Sequence, residues 1–279
     1  MVDPISDARS LELLLIGCGN MGFALLRGWL AEIPDLRAHV VEPDAALRAR
    51  ASGIGASAVA APDQLPSDLA PQAIIVAVKP QHVAAVLQTY LAYVENGAAI
   101  ISVAAGVTIA SMHAALGIEG AVIRCMPNTP AAIGVGALVC CADQNTSDAQ
   151  KALAETLLRP CGDVHFLSDE GQMDAVTAVS GSGPAYVFYF IECLTEAGIR
   201  AGLPGELSLQ LARQTVFGAG QLAKVSDLPP GTLRAQVTSP SGTTAAALSV
   251  LMADDGLGPL VDRAVKAAKS RSLELGRVS

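Results

Sequence analysis

The sequence has few charged and few aromatic residues, and its charge is mostly negative. Charged residues make up 16% and aromatic residues 4% of the 279 positions, against 51% hydrophobic residues. That balance excludes a disordered chain. The formal net charge is −8 and no basic run offsets it, which argues against nucleic acid or an anionic membrane as a partner. The composition therefore favours chemistry on small molecules.

The sequence also lacks the residue spacings of metal sites, disulfide frameworks and secretion signals. The four histidines show no ligand spacing, so we predict no metal. The cysteines form no CxxC pair and read as small buried residues in a reducing cytosol. The first ten residues, MVDPISDARS, lack the basic start and apolar run of a signal peptide, so we expect a cytoplasmic protein. The six cysteines are Cys18, Cys125, Cys140, Cys141, Cys161 and Cys193.

An uncharged segment at residues 96–118 is long enough to suggest a membrane span. Gly97, Gly106 and Thr108 interrupt it, which favours a buried strand followed by a helix that Thr108 caps.

The first half of the chain alternates apolar runs with helical patterns. Such alternation predicts βαβ units and a parallel sheet. Three further runs follow at closer spacing, so we expect the sheet to gain edge strands. The four alternating runs lie at 11–17, 38–42, 73–78 and 98–104, and the later ones at 121–125, 137–142 and 163–167.

The second half of the chain is predicted to be helical, because strand signals end after about Asp169. Residues 173–198 contain AYVFYFIECLTEAG, which is apolar on nearly every face and predicts a helix buried all round. A small monomeric domain has too little volume to bury that surface, so we expect a second subunit to cover it. The other predicted helices lie at 207–225, 243–253 and 257–275.

A glycine fingerprint, GCGNMG, follows the first predicted strand and opens a helix. Gly17 permits a tight turn, Gly19 lets the backbone approach a pyrophosphate, and Gly22 lets the helix pack on the strand. Asn20 and Met21 complete the predicted dinucleotide-binding turn of a Rossmann-type domain. We place this domain at residues 1–168 and an all-α domain at 169–279, which gives an α/β fold class.

Glu42 ends the second predicted strand, where a carboxylate binds the adenosine ribose hydroxyls and repels a 2′-phosphate. It therefore favours NADH over NADPH, although Arg48 and Arg50 are close enough in sequence to soften that repulsion. A solvated turn residue before Pro43 is the alternative interpretation.

Two further motifs follow predicted strands at the edge where open α/β sheets bind ligands. AVKPQ brings Ala77, Val78, Lys79 and Pro80 there as candidate cofactor contacts, with a surface lysine as the alternative for Lys79. In RCMPNTP, Asn128 lies between prolines that can present its amide rigidly to the cofactor.

The segment TSPSGTT leads directly into an alanine-rich helix. A helix N-terminus carries unpaired N–H groups and partial positive charge, so an entry rich in glycine and hydroxyls suits a carboxylate. An ordinary N-cap after a proline turn explains the same pattern.

GCGNMG, AVKPQ, MPNTP, SGSGPAY and TSPSGTT, in this order and spacing, resemble the pyrroline-5-carboxylate reductase family from about residue 11 to the C-terminus. The resemblance implies hydride reduction of the C=N bond of 1-pyrroline-5-carboxylate to L-proline by NAD(P)H, the last step of proline biosynthesis. It implies a helical C-terminal domain that binds substrate and forms an intertwined homodimer, with a decamer of dimers as the larger assembly. The residues implied around the substrate are Ser239, Gly242, Thr243 and Thr244, with Thr244 as the catalytic contact to the ring nitrogen.

The chain departs from the family pattern at two places. Ser241 stands where members commonly carry a second glycine, and VAAPDQ at 59–64 offers no asparagine to hold the adenosine ribose or its phosphate. Both departures bear on the substrate loop and on cofactor preference.

Two other functions compete with this interpretation. A β-hydroxyacid dehydrogenase or imine reductase shares the two-domain plan, but such dehydrogenases use a lysine on the long interdomain helix, and this chain has none between Lys151 and Lys224. A dinucleotide-binding sensor without turnover would explain the apolar helical half, yet it would not need TSPSGTT.

Overall fold

A computed structural model describes residues 11–276 of the chain. The predicted lack of a signal peptide at residues 1–10 lies outside the described residues. By its internal contacts the described chain forms two compact units, 11–181 with 268–276 and Ser182–Ala267. The units therefore divide later than residue 168, where we placed the domain boundary, and the end of the last helix belongs to the first unit.

The first unit contains one eight-stranded sheet in the order β3-β2-β1-β4-β5-β6-β7-β8. All neighbouring strands are parallel except β6 and β7, so the predicted mostly parallel sheet with added edge strands is confirmed. The sequence did not predict β3, which has three residues and an exposed or half-buried surface. The strands are β1 (Glu12–Ile16), β2 (Arg37–Val41), β3 (Ser57–Val59), β4 (Ala73–Val76), β5 (Ala99–Ser102), β6 (Val122–Met126), β7 (Gly136–Ala142) and β8 (Gly162–Leu167).

Helices cover both faces of this sheet, which explains why β4 is apolar and buried at every position and why β1 and β5 carry only one polar residue each. Leu13 and Leu15 of β1 pack in one core with Trp29, whereas Leu14 and Ile16 pack in a second core on the opposite face. The helices of this unit are α1 (Asn20–Glu32), α2 (Ala45–Ser52), α3 (Val83–Thr89), α4 (Leu91–Glu95), α5 (Ile109–Leu116), α6 (Asp148–Leu158) and α7 (Met173–Val176).

The uncharged segment 96–118 forms β5 and α5, as predicted. Thr108 caps α5, because its hydroxyl accepts a hydrogen bond from the N–H of Ser111 at 3.0 Å. Across residues 11–276, no helix has the length and apolar character that crossing a membrane requires.

The second unit is helical, and much of its apolar surface is exposed in the single chain. The predicted helix at 173–198 is interrupted: α7 ends at Val176, a π-helical turn occupies Thr177–Gly181, and α8 starts at Gly183. Burial of this helix on all sides is wrong for one chain, since α8 has no buried residue and packs mainly on α9. The helices are α8 (Gly183–Arg200), α9 (Gly205–Val225), α10 (Pro230–Gln236), which the sequence did not predict, α11 (Thr243–Leu251) and α12 (Leu257–Gly276).

Five of the six cysteines are buried as expected, and Cys193 on α8 is exposed. Cys125 and Cys140 face each other across β6 and β7. The hydrogen bond between the two thiols, followed by burial, raises the pKa of the Cys125 thiol well above its usual value. Burial likewise raises the pKa of Cys18 and takes that of Cys161 to about 11. These thiols are therefore core residues and poor nucleophiles.

A buried ion pair fixes the middle of β6 to the segment that precedes α7. The guanidinium of Arg124, which is 5% exposed, donates to Glu170 Oε1 at 2.9 Å. The same oxygen accepts the N–H of Ile109 at 2.9 Å, so Glu170 also holds the first turn of α5.

We expect Glu170→Ala to lower the free energy of unfolding by about 3 kcal/mol, the low end for a broken buried ion pair, since Glu170 is partly exposed. Urea denaturation measures this loss. Glu155→Ala is the matched control, because it removes an exposed pair with Arg159 and should cost about 0.5 kcal/mol or less. Equal losses in the two variants would contradict a special role for the Arg124 pair.

Candidate active site

The turn after β1 passes close to the chain that leaves β4. Gly17 has φ +85°, a left-handed conformation that favours glycine. A Cβ there would lie 2.7 Å from the carbonyl oxygen of Ala77 and 3.0 Å from Val78 Cγ1. The structure thus brings Gly17 of GCGNMG together with Ala77 and Val78 of AVKPQ. They meet between β1 and β4, where the strand order reverses and where such sheets bind nucleotides.

The other two glycines of the fingerprint fit the predicted cradle. A Cβ on Gly19 would meet nothing within 4 Å, whereas a Cβ on Gly22 would collide with the carbonyl oxygen of Gly17. Gly19 is the N-cap of α1, with no side-chain cap and no acidic residue in the first turn of that helix. The open space and the unpaired helix N-terminus suit a pyrophosphate, so these residues fit a dinucleotide.

A cavity of about 330 Å³ lies at this end of α1. Predicted residues Asn20 and Met21 line it, together with Thr129 of the segment after β6. Arg27 and Arg50 line it as well, which gives the cavity two cations. The side chain of Arg27 also donates to the carbonyl of Ala132.

Glu42 is buried at the end of β2 with both carboxylate oxygens in use. Oε2 accepts the N–H of Cys18 at 2.7 Å and Oε1 accepts the N–H of Asp44 at 2.9 Å. A carboxylate has about four acceptor positions, so these bonds leave capacity for a ribose hydroxyl. Because it accepts the N–H of Cys18, Glu42 also holds the glycine turn in place, a role that the sequence did not predict.

Arg50 holds the same turn through two of its backbone carbonyl groups. Its guanidinium donates to the carbonyls of Cys18 at 2.9 Å and Gly19 at 3.2 Å and lies 4.0 Å from the centre of the Phe23 ring. Arg48 donates to the carbonyl of Glu42 at 2.8 Å. No sequence pattern reveals the two Arg50 contacts, because they join α2 to a turn some thirty positions earlier.

The remaining predicted cofactor residues occupy the same edge of the sheet. Lys79 is exposed and precedes a short 3₁₀ turn that begins at Pro80. Asn128 follows β6 and is half-buried, but its amide is bound to the protein. Its Oδ1 accepts the N–H of Ala137 at 2.9 Å, and its Nδ2 donates to the carbonyl of Ser180 at 3.0 Å.

In the second unit, TSPSGTT forms a tight turn into α11. The N–H of Gly242 donates to the carbonyl of Ser239 at 3.1 Å, and Gly242 is the N-cap of α11 without a side-chain cap. Ser241 has φ +59°, which costs a non-glycine residue about 1–2 kcal/mol. Within residues 11–276, the hydroxyls of Ser239, Ser241, Thr243 and Thr244 have no hydrogen-bond partner.

Comparison with known proteins assigns the family. Residues 170–275 match the family model for pyrroline-5-carboxylate reductase dimerisation, and residues 12–106 match the model for NADP oxidoreductase, coenzyme F420-dependent. The pyrroline-5-carboxylate reductase of Pseudomonas aeruginosa is 40% identical over 273 residues, 95% of this chain and 96% of that protein. The chain belongs to the pyrroline-5-carboxylate reductase family.

Solved reductase structures are also similar to this chain. A pyrroline-5-carboxylate reductase from Coxiella burnetii is 33% identical with a TM-score of 0.90, over 96% of this chain and 99% of that one. The Plasmodium falciparum enzyme, solved with NADP bound, is 31% identical with a TM-score of 0.80, over 95% and 98% of the two chains. The chain is therefore an NAD(P)-dependent oxidoreductase, and its second half carries the reductase dimerisation region.

We expect Gly19→Ala to weaken NAD(P)H binding by about tenfold or more, because the added methyl group enters the space left for the pyrophosphate. Its free energy of unfolding should change by less than about 1 kcal/mol, since the methyl group meets no protein atom. Fluorescence titration and urea denaturation measure the two quantities.

Gly17→Ala is the matched comparison, because its methyl group meets Ala77 and its backbone is left-handed. That variant should lose stability as well as affinity. Unchanged NAD(P)H affinity in Gly19→Ala would contradict the prediction that the dinucleotide binds at this turn.

Proposed function

We propose that this chain reduces the ring C=N bond of 1-pyrroline-5-carboxylate to form L-proline. The observation that carries the proposal is the uncapped N-terminus of α11 surrounded by hydroxyls without partners. A substrate carboxylate satisfies both features, since it accepts hydrogen bonds from helix N–H groups and from hydroxyls. The named reductases that this chain resembles over nearly its full length supply the substrate class.

Reduction of a cyclic imine makes modest demands on protein acids. The ring nitrogen must be protonated, because the iminium carbon is far more electrophilic than that of the neutral imine, and the substrate can take this proton from water. Neither SGSGPAY nor TSPSGTT contains a histidine or a carboxylate, which agrees with such chemistry. The bound nicotinamide would supply the hydride.

The chain's own residues then contribute orientation. Ser239, Gly242 and Thr243 hold the substrate carboxylate in this proposal, and the hydroxyl oxygen of Thr244 accepts a hydrogen bond from the protonated ring nitrogen. Holding two reactants in the reactive geometry can lower a barrier by about 7–11 kcal/mol. Positioning is therefore sufficient to explain catalysis without a strong general acid.

We propose a preference for NADH over NADPH. The buried residue Glu42 directly follows β2 and Asp44 lies two positions later, so two negative charges lie at the edge where a 2′-phosphate would bind. Arg48 reduces this repulsion, because its guanidinium lies 2.8 Å from the carbonyl of Glu42. NADPH should therefore remain a usable cofactor.

We also propose an intertwined homodimer, with a decamer of dimers as the larger assembly, in a reducing cytosol. The exposed aromatic and aliphatic side chains of α8 and α9 support the dimer, because a surface of this kind is typical of subunit contacts. They include Val187, Phe188, Tyr189, Phe190 and Phe217.

Oxidation of NADH and NADPH on addition of pyrroline-5-carboxylate tests the reaction and the preference together. We expect turnover with both cofactors and a higher kcat/KM with NADH. Glu42→Gln removes the charge but keeps an acceptor for Cys18, so it should shift the preference toward NADPH by about tenfold. Turnover favouring NADPH in the unmodified chain would discard Glu42 as the selector.

Absence of turnover with either cofactor would contradict the proposed reaction. Turnover with other cyclic imines alone would indicate a general imine reductase. NAD(P)H binding without turnover on any imine would indicate a sensor.

Thr244→Ala should lower kcat/KM for the imine by about 10²-fold, because misplacing the ring nitrogen affects the transition state most strongly. Its affinity for NAD(P)H should stay nearly unchanged. Thr232→Ala is the control, since Thr232 is an exposed threonine of α10 in the same unit. An unaltered kcat/KM in Thr244→Ala would refute the role of this hydroxyl.

A further inference from the structure

The π-helical turn Thr177–Gly181 is the most unusual stretch of backbone that the mechanism leaves unexplained. It belongs to the first unit and immediately precedes Ser182, where the second unit begins. It also contains the start of SGSGPAY. Single π turns are rare and often occur at functional sites, because they re-aim the residues that follow.

The side-chain amide of Asn128 holds this turn through two hydrogen bonds, one donated and one accepted, a combination that suits an amide side chain. Its Oδ1 accepts from the N–H of Ala137, and its Nδ2 donates to the carbonyl of Ser180. Because Ala137 offers a donor and Ser180 offers an acceptor, the two ends of the amide cannot be exchanged. One side chain therefore joins the end of β6, the start of β7 and the π turn.

Packing on the same turn supports this connection. A Cβ on Gly181 would lie 2.5 Å from Met126 Cε, so the turn rests closely against the last residue of β6. The hydroxyl of Ser180 is occupied elsewhere, since it donates to the carbonyl of Val176 at 3.0 Å. The carbonyl of Ser180 is thus the group through which Asn128 acts.

We infer that Asn128 is a positioning residue that fixes the SGSG segment at the carboxyl end of β6, rather than a contact to the cofactor. This inference rests on the proposed reduction. Both polar atoms of the amide are bound to backbone, so its loss should displace Ser180–Ser182 and leave the glycine turn at α1 intact. Because ligands of such a sheet bind at the carboxyl ends of its strands, where Asn128 holds Ser180, we expect this displacement to lower the rate of hydride transfer and to spare dinucleotide affinity.

Asn128→Asp is the decisive variant, because it keeps the shape and the acceptor oxygen but sets a carboxylate against the carbonyl of Ser180. We expect kcat to fall by about tenfold to 10²-fold while the Kd for NAD(P)H stays within about twofold. The primary isotope effect on kcat with 4-deuterated cofactor should rise, since hydride transfer becomes slower relative to product release. A mere loss of folded enzyme lowers kcat and leaves the isotope effect unchanged.

Asn96→Asp is the matched control. Asn96 is exposed, and its Nδ2 donates to the carbonyl of Ala92 at 2.8 Å. The same substitution there removes a hydrogen bond from a side-chain amide to a backbone carbonyl, but that bond lies at a helix end and does not involve the π turn. That variant should keep kcat, the isotope effect and NAD(P)H affinity.

Gly181→Ala approaches the same turn independently and serves if Asn128→Asp does not fold. Its methyl group collides only with the flexible end of Met126 and makes ordinary contact with Thr177, so we expect the same kinetic signature with a smaller loss. NAD(P)H affinity that weakens in parallel with kcat/KM would overturn the inference and make Asn128 a cofactor contact. Unchanged kcat in both variants would overturn it too. Failure of the proposed reaction is recognised separately, because the unmodified chain would then show no turnover.

Discussion

The close approach of the Gly17 backbone to the carboxyl end of β4 is the constraint on which the dinucleotide-binding end of the chain depends. It leaves no room for a side chain at Gly17, and Gly22 packs in turn against the Gly17 carbonyl, so both positions require glycine. Glu42 and Arg50 then fix the N–H and the C=O of Cys18 from two other elements. The open position at Gly19 is therefore held from three sides before any ligand binds, which reduces the ordering that binding requires.

The second unit follows a different principle, since its helices leave apolar side chains exposed instead of completing a core within one chain. No residue of α8 is buried, although the helix carries most of the aromatic side chains of the unit. The match of residues 170–275 to a dimerisation region explains this surface. Folding and self-association are linked in such a unit, because the free energy that a monomer obtains from its core comes here partly from the partner subunit.

Local patterns in the sequence predicted seven of the eight strands of the sheet, the glycine turn and the Thr108 cap, because each depends on neighbouring residues. Contacts between distant segments were not predictable. The amide of Asn128 reaches Ser180 and the guanidinium of Arg50 reaches Cys18, and neither pairing leaves a periodic signal. The π turn was missed for the same reason: Met173–Val176 and α8 have continuous helical character, and the interruption between them depends on tertiary contacts.

These observations together favour catalysis by position over catalysis by proton transfer. The buried thiols Cys18, Cys125 and Cys161 have raised pKa values, and TSPSGTT offers hydroxyls alone, so neither supplies a strong acid or nucleophile near neutral pH. An imine that arrives protonated needs neither. Such a reaction needs a fixed backbone, which neutral amides and glycines provide. A negative charge of the protein would stabilise the cationic substrate more than the transition state, because hydride addition neutralises the positive charge of the substrate. The absence of histidine and carboxylate from TSPSGTT thus agrees with the chemistry.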